Sequence, residues 1–229
     1  MEHYSNTKLR PYLKYEDGLA VLYLKEKGLS RVPDAVTELS EIENLVLEKN
    51  NLIKLPASIS KLKNLIVLKL GSNNITELPT EIGDLRELRR LWMSNNQLVG
   101  LPTSIQRLTK LEGLHLAGNK LTELPAEIGD LRELRWLLMS NNQLVGLPTS
   151  IQRLTKLEKL DLDGNKLTEL PAEIGDLREL RQLSVSHNPL TLDAIRRALK
   201  LRKKGVLVDG VAGKHGGYCS YLEVRKKPR

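Results

Sequence analysis

The chain is poor in several residue types that mark common functional classes. Its 229 residues include one cysteine, Cys219, so no disulfide can form within the chain, which fits a reducing compartment. Phenylalanine is absent, and there are two tryptophans, Trp92 and Trp136. No run of eighteen apolar residues occurs, so we expect no membrane-spanning helix. The first eighteen residues lack the apolar core of a secretory signal, so we expect the chain not to be exported.

The formal net charge of +8 is not spread over the chain. Residues 19–188 carry 22 basic and 22 acidic side chains, whereas residues 189–229 carry eleven basic and three acidic ones. The central part is therefore neutral, and its charge indicates no polyanionic partner. We expect the basic C-terminal end not to contact nucleic acid or an anionic membrane, and an anionic partner there is the alternative.

A repeat of 23 residues fills most of the chain. It follows the pattern LxxLxLxxNxLxxLPxxIxxLxx and starts at Leu19, Ile42, Leu65, Leu88, Leu111, Leu134, Leu157 and Leu180. Its asparagine recurs in step at Asn50, Asn73, Asn96, Asn119, Asn142, Asn165 and Asn188. Within each repeat, alternation predicts a short strand with inward side chains such as Leu91 and Met93. We expect the asparagine amide to satisfy backbone groups that the following turn leaves unpaired.

The repeat resembles the leucine-rich repeat family over residues 19–188. Its 23-residue form with LPxxI resembles the intracellular Scribble and Erbin class, plant Ras-group relatives and many bacterial arrays. The resemblance implies an α/β solenoid, a horseshoe with a parallel concave β-sheet and short helical or irregular convex segments. It also implies a protein-binding module rather than an enzyme. Secreted relatives usually have cysteine-stapled caps, so their absence favours a cytoplasmic protein, which we expect to be a monomer.

The pattern divides the chain into four parts. We predict an N-terminal cap segment at 1–18, eight leucine-rich repeats at 19–188, a capping helix and strand at 189–210, and a basic flexible tail at 211–229. The predicted capping helix has Thr191 as its N-cap and ends at Gly205. Because one coil buries too little apolar surface to fold alone, such caps are needed to cover the ends of the stack.

Successive repeats alternate between two return segments, EIGDLREL and SIQRLTKL, so the full period is 46 residues. Stacking predicts three convex rows in which every neighbour has the opposite charge. They contain Asp84, Arg107, Asp130, Arg153 and Asp176; Glu87, Lys110, Glu133, Lys156 and Glu179; and Arg89, Glu112, Arg135, Glu158 and Arg181. We interpret them as ion-pair ladders that fix the register, rather than as a docking stripe.

Residues 81–125 and 127–171 are near-copies that differ at five positions. The changes are Arg90 to Trp136, Trp92 to Leu138, Gly113 to Lys159, His115 to Asp161, and Ala117 to Asp163. All five are predicted to point outward from the concave sheet. Neutral drift at permissive exposed sites is the alternative, but exposed convex positions did not change. We therefore interpret the five positions as altered ligand contacts.

The candidate binding surface follows from these positions. We expect Trp92, His115 and Leu138 to form one row, with Trp136 beside it and Gly113 leaving a notch between Arg90 and Trp136. Exposed aromatic groups rimmed by charges are typical of a protein-binding hot spot. The predicted ligand-binding residues are Lys69, Arg90, Trp92, Gly113, His115, Trp136, Leu138, Lys159, Asp161 and Asp163.

Three motifs that suggest chemistry fail on inspection. Residues 161–165 open like a calcium loop, but Lys166 and Ala172 occupy the required glycine and acidic positions. Residues 210–214 lack the first glycine of a phosphate loop. His115 and Asp161 are predicted about 10 Å apart, too far for an acid–base pair. We expect no catalytic residues, no metal and no cofactor.

Binding of a protein or peptide ligand on the concave sheet is the favoured function. One alternative is a regulatory adaptor of the Scribble-like class, acting in small GTPase or phosphatase signalling through convex or basic surfaces. A second is an engineered repeat scaffold, against which the divergent first three repeats count. Loss of binding after concave substitution would separate the first reading from the adaptor.

Overall fold

A computed structural model describes residues 6–211. Its central feature is one sheet of ten short strands, ordered along the sheet as along the chain. The strands are β1 Leu13–Glu16, β2 Leu19–Tyr23, β3 Asn44–Val46, β4 Val67–Lys69, β5 Arg90–Trp92, β6 Gly113–His115, β7 Trp136–Leu138, β8 Lys159–Asp161, β9 Gln182–Ser184 and β10 Leu207–Asp209. From β2 to β10 all neighbours pair in parallel, which confirms the predicted solenoid.

The first edge of the sheet is an antiparallel hairpin that the repeat pattern did not predict. Strand β1 pairs with β2 in the register Glu16 to Leu19. The two residues between them, Asp17 and Gly18, have φ of 50° and 82°. An Asp-Gly pair readily adopts this turn, because both residues tolerate positive φ. The hairpin ends the parallel stack with a strand whose outer residues are exposed and polar.

Short helical segments form the convex side. The first is a helical turn, α2, at Asp34–Thr37, which follows the N-terminal α1 at Asn6–Leu9. The others are 3₁₀ turns at Ala57–Lys61, Thr80–Asp84, Thr103–Arg107, Ala126–Asp130, Thr149–Arg153 and Ala172–Asp176. Each follows the proline of the LP pair, which is extended and has no amide hydrogen to leave unpaired.

The core runs through the solenoid between sheet and turns. Leu91 and Met93 are fully buried, as the alternating pattern predicted. The asparagine row lies beside them: Asn142 Nδ2 donates to the carbonyls of Leu116 at 2.9 Å and Met139 at 3.1 Å, and its Oδ1 accepts from Leu121 N at 3.0 Å. The same contacts recur at the other six asparagines of the row. Each amide therefore joins two consecutive coils.

The residue before each asparagine is left-handed. Lys49, Ser72, Asn95 and His187 have φ between 54° and 57°, and the equivalent positions in the other coils are also positive. This conformation turns the chain from the strand into the core. It disfavours most side chains, and asparagine is among the residues that tolerate it best. In two coils the left-handed residue is itself an asparagine, Asn95 or Asn141, and in two others it is a glycine, Gly118 or Gly164.

The convex turns are packed in twos. A Cβ placed on Gly83 would lie 2.4 Å from the carbonyl oxygen of Ser104 in the next coil, and Gly129 stands in the same relation to Ser150. At Gly175, a Cβ would meet nothing within 4 Å. No further 3₁₀ turn follows this one up to residue 211, because the next convex element in the chain is the helix Leu192–Lys203. Each EIGD turn therefore approaches the following SIQR turn so closely that only glycine fits. We call these two coils a doublet.

The convex charges form the predicted ion pairs between neighbouring coils, and these pairs follow the doublets rather than running unbroken along each row. Within residues 6–211, the rows resolve into pairs inside each doublet, such as Asp84–Arg107 at 3.3 Å and Asp130–Arg153 at 3.1 Å. The other two rows give Glu87–Lys110, Glu133–Lys156, Arg89–Glu112 and Arg135–Glu158, at 2.6–2.7 Å. Among the predicted rows, the contact that crosses a doublet boundary is Arg181–Glu158 at 4.0 Å. The ion pairs thus join the same two coils that the close glycine–serine contacts join.

The far end is closed by the helix α3, Leu192–Lys203, as predicted. Thr191 Oγ1 accepts a hydrogen bond from Ala194 N at 3.4 Å, and Gly205 has φ of 92° just beyond the helix. Two of its basic residues are structural, since Arg197 and Lys204 donate to carbonyls of the last coils. No helix within residues 6–211 is long and apolar enough to cross a bilayer. The predicted basic tail, 211–229, lies outside the described residues except for Val211.

Candidate functional site

The outward side chains of the sheet form parallel rows. One row contains Lys69, Trp92, His115, Leu138, Asp161, Ser184 and Asp209, and the next contains Val67, Arg90, Gly113, Trp136, Lys159, Gln182 and Leu207. Asp163 and Ala117 lie two residues beyond their strands and are half-buried on the same side. All ten predicted site residues thus lie on one face, from β4 to β8.

Two tryptophans form the middle of this face. The Lys69 ammonium lies 4.6 Å from the centroid of the Trp92 ring, a cation–π contact between neighbouring strands. The indole of Trp136 covers Gly113, since its Cε3 lies 3.3 Å from where a glycine Cβ would be, with Arg90 Cγ at 3.9 Å. The predicted open notch is therefore wrong. The Trp136 ring instead packs against Gly113 and fills this space.

These side chains are available to a partner to different degrees. Trp136 is 37 % exposed, which is unusual for so large an apolar side chain. Trp92, His115 and Leu138 are half-buried by their neighbours in the row. The surface is thus an apolar platform whose side chains already rest on one another, so little conformational freedom would be lost on binding.

His115 is the titratable group at the centre of the platform. Burial between the strands of Trp92 and Leu138 lowers its pKa below the ordinary value, and the charge of Asp161 opposes this shift. Asp161 is two strands away, as predicted, so the two do not form an acid–base couple. The lowered pKa favours the neutral imidazole, which extends the apolar platform.

Carboxylates gather beyond the platform. Asp163 Oδ1 accepts from Ser186 N at 2.6 Å, and Asp161 Oδ1 accepts from Asp163 N at 3.1 Å. Burial raises the pKa of Asp163, the hydrogen bond from Ser186 N lowers it, and the charges of Asp161 and Asp209 raise it further. The like charges therefore repel one another at this end of the face.

Asp209 is the site residue that the sequence reasoning missed. It lies on β10, in the same row as Asp161 and Ser184, and its Oδ2 accepts from Ser184 Oγ at 3.5 Å. Its position on the sheet could have been inferred, because a closing strand was predicted within the capping segment 189–210. Continuing the 23-residue register is not sufficient there, because the capping helix intervenes before β10.

No group of three or more His, Cys, Asp or Glu side chains suited to a metal ion occurs in the described part of the chain. The carboxylates of Asp161 and Asp163 are engaged with backbone amides of their own turn and the next coil. What the arrangement offers is a preformed surface with an aromatic centre and charged ends.

Comparison with sequence families agrees with this architecture. A leucine rich repeat profile matches residues 40–98, and a leucine-rich repeat region profile matches residues 113–203. Together they cover more than half of the chain. No curated protein sequence matches it.

Several solved structures have a similar fold. A leucine-rich repeat protein of Leptospira interrogans is 36% identical with a TM-score of 0.69, over 79% of this chain and 52% of that one. The ectodomain of the Arabidopsis thaliana receptor kinase GASSHO1/SCHENGEN3 is 38% identical with a TM-score of 0.64, over 73% of this chain and 21% of that one. An internalin of Listeria monocytogenes, 21% identical with a TM-score of 0.71 over 82% and 53%, shares the fold.

The chain therefore spans about half the length of the Leptospira and Listeria proteins, and a fifth of the plant ectodomain. The repeat profiles, the asparagine row and the parallel sheet of single-coil strands all point to the same family. The chain belongs to the leucine-rich repeat proteins.

Proposed function

We propose that the concave sheet binds a protein or peptide ligand, with Trp92, His115, Trp136 and Leu138 at its energetic centre. The observation that carries the proposal is the distribution of differences between the two near-copies. Their convex turns, core and asparagines are identical, whereas all five differences lie on this one face. Variation confined to one surface is what selection for recognition produces in a repeat protein.

The chemistry of the platform supports the same function. Tryptophan is the residue most enriched at binding hot spots, because it buries a large area with few rotatable bonds. Both tryptophans of the chain are here, and Trp136 is among its exposed large apolar residues. Leucine-rich repeat folds generally serve protein–protein interaction, and the plant ectodomain was solved in complex with CASPARIAN STRIP INTEGRITY FACTOR 2. No enzymatic activity is proposed.

Three finer assignments accompany this function. The constant 23-residue register with LPxxI supports the intracellular type of array that resembles Scribble and Erbin. A cytoplasmic location and a monomeric state are proposed on the same resemblance and on the single cysteine, Cys219, which lies outside the described residues. Cell fractionation and sedimentation of the purified chain would test the location and the monomeric state.

The test uses peptides selected on the protein itself. A random peptide library is displayed on phage and enriched on the immobilised chain, and affinities of the enriched peptides are measured for Trp92→Ala and Trp136→Ala. Each substitution should weaken binding by 2 kcal/mol or more, about thirtyfold, because it removes a central anchor. Thermal unfolding should change little, since both side chains point away from the core.

The matched control is Lys156→Gln on the convex face, which removes an exposed cation but touches no concave residue. Its affinity should equal that of the parent. Equal binding by the parent and both tryptophan variants would contradict the proposal. If the selected peptides instead lost affinity with Lys156→Gln, or after removal of the basic residues 212–229, the adaptor alternative would be favoured.

A further inference from the structure

The charges of the concave face are separated along the solenoid. Lys69 and Arg90 lie on its β4–β5 side, and the apolar platform lies in the middle. The β8–β10 side carries Asp161, Asp163 and Asp209. The order along the sheet is thus cationic, apolar and anionic. This separation is independent of the neutral balance of residues 19–188, which includes the convex ion pairs.

The cationic end is open to a partner. Arg90 is exposed, and the Lys69 ammonium is held over the Trp92 ring rather than against a carboxylate. One carboxylate, Glu48, lies two residues beyond β3 at this end and is half-buried, and Lys25 is exposed at the equivalent position of the preceding coil. The end therefore presents cationic groups beside an aromatic surface.

The anionic end is under-compensated within the chain. Asp161, Asp163 and Asp209 face one another across β8, β9 and β10, with Lys159 as the cation of the same strands. Burial is the main cause of the raised pKa of Asp163, and the charges of Asp161 and Asp209 add to it. A cation brought by a ligand would relieve the repulsion between these charges, so this end favours lysine or arginine.

We propose that the ligand is an extended protein segment with an acidic side chain and a basic side chain about four to six residues apart, joined by apolar residues. This inference rests on the proposed function and names the partner chemistry of the same face. The spacing follows from geometry. Three or four strand intervals separate Arg90 or Lys69 from Asp161, which is about 14–19 Å, and an extended segment rises about 3.3 Å per residue.

Four synthetic peptides test the pattern directly. The probe has an aspartate and a lysine about five residues apart, with leucine and serine alternating between them. Two controls carry two aspartates or two lysines at the same positions, and a third places the aspartate and lysine next to each other. The probe should bind the protein about tenfold more tightly than each control at low salt, and the differences should shrink at high salt.

The chain provides a fold-compatible variant for the anionic end. Asp161→His with Asp163→Ala restores the residues that the other near-copy has at these positions, His115 and Ala117. This variant should bind the probe about tenfold more weakly. Asp163→Ala removes the acceptor of Ser186 N, so a small fall in unfolding temperature is expected, and circular dichroism at the binding temperature checks that the variant is folded. Asp161→Lys with Asp163→Ala makes both ends cationic, so its preference should move to the peptide with two aspartates.

The outcomes separate the two proposals. Equal affinity for the probe and the like-charged peptides, or no binding of the probe, would overturn the charge pattern. An unchanged preference in the Asp161→Lys variant would overturn it as well. The concave site itself would still stand if the phage-selected peptides lost affinity with Trp92→Ala and Trp136→Ala. Selected peptides indifferent to both tryptophans would remove the site and, with it, the pattern.

Discussion

Residues 81–125 and 127–171 offer two versions of one structure within a single chain. On the convex side their geometries coincide. A Cβ placed on Gly83 or on Gly129 would lie 2.4 Å from the carbonyl oxygen of the serine in the next coil, and the corresponding ion pairs of the two copies have distances of 2.6–2.7 Å. On the concave side they present different surfaces, with an exposed arginine at position 90 where the second copy has an exposed tryptophan at 136. The same coils therefore support unrelated surfaces.

The comparison separates two kinds of residue. Those that join one coil to the next are identical in the two copies, because each is fitted to a backbone atom of its neighbour. Those that differ point away from the core onto the concave face, so most of their side chains can be exchanged without loss of core packing. Asp163 is an exception to this division, because it differs from Ala117 and also accepts a hydrogen bond from Ser186 N in the next coil. If this division holds, substitutions in the first group should lower stability and those in the second should change binding.

The largest loss of stability is expected for Asn142→Ala. Its amide makes buried hydrogen bonds with Leu116, Met139 and Leu121, and their removal leaves these backbone groups unpaired. The free energy of unfolding should fall by about 1–3 kcal/mol. Urea denaturation measures it, and an unchanged midpoint would show that the asparagine row is not a structural junction.

Gly129→Ala tests the close contact inside a doublet. Because its Cβ would lie 2.4 Å from the Ser150 oxygen, the two turns must separate, at a cost of about 1–3 kcal/mol. Gly175→Ala is the matched control, since it occupies the same position of the EIGD turn with no atom within 4 Å. Its denaturation midpoint should equal or exceed that of the parent. Equal losses in both variants would refute the contact.

Exchange of concave residues should cost little stability. The variant Trp136→Arg with Leu138→Trp gives the second copy the residues of the first, and it should change the free energy of unfolding by less than about 1 kcal/mol. Calorimetry of the parent and variant provides the measurement. A loss as large as that of Gly129→Ala would mean that the platform is part of the framework, and the distinction between the copies would disappear.

The convex ion pairs should contribute least of the junction contacts. Lys156 and Glu133 are 2.7 Å apart, yet 41% and 45% of their side chains are exposed. Lys156→Gln should lower the free energy of unfolding by about 0.2–1 kcal/mol, and the effect should vanish in high salt. A double-mutant cycle with Glu133→Gln isolates the pair. Coupling above this range would make charge rather than glycine packing the main determinant of the doublet.

A still smaller effect is expected from His115. Its folded-state pKa is lowered by burial, so the unfolded chain takes up a proton first as the pH falls below about 6.5. His115 should therefore subtract stability below that pH and none above pH 7.5. The free energy of unfolding is measured against pH for the parent and for His115→Gln, and the difference between the two curves is the contribution of His115. Identical curves would show that the imidazole is not desolvated.

Much of this division was predictable from the sequence. The 23-residue register places Leu91, Met93 and Asn142, because a solenoid makes every coil repeat the same environments. The near-copies identify the concave positions for the same reason. Ion-pair choice was not predictable, since Arg107 has Asp84 on one side and Asp130 on the other at equal sequence distance. In the structure Arg107 pairs with Asp84, inside its doublet, and periodicity carries no information that distinguishes the two neighbours.

The orientation of the Trp136 side chain could not be predicted from the sequence either. The pattern placed it outward from β7 beside Gly113, but whether its ring stands free or lies on the glycine depends on rotamer and neighbour packing. The hairpin at Asp17 and Gly18 could have been found, since the turn signal was in the sequence outside the repeat. The repeat pattern therefore predicts the interior of the array well, whereas its ends must be predicted from local turn and capping sequences.

The doublet has a consequence for how such an array changes length. A recombination event that adds or removes two coils, beginning at an EIGD turn, recreates every glycine–serine contact and every ion pair of its neighbours. An event of one coil would place two like turns together, with Asp84 beside another aspartate and glycine beside a side chain it was not fitted to. The array is thus expected to lengthen in steps of 46 residues, and the near-identity of residues 81–125 and 127–171 is what one such step leaves behind.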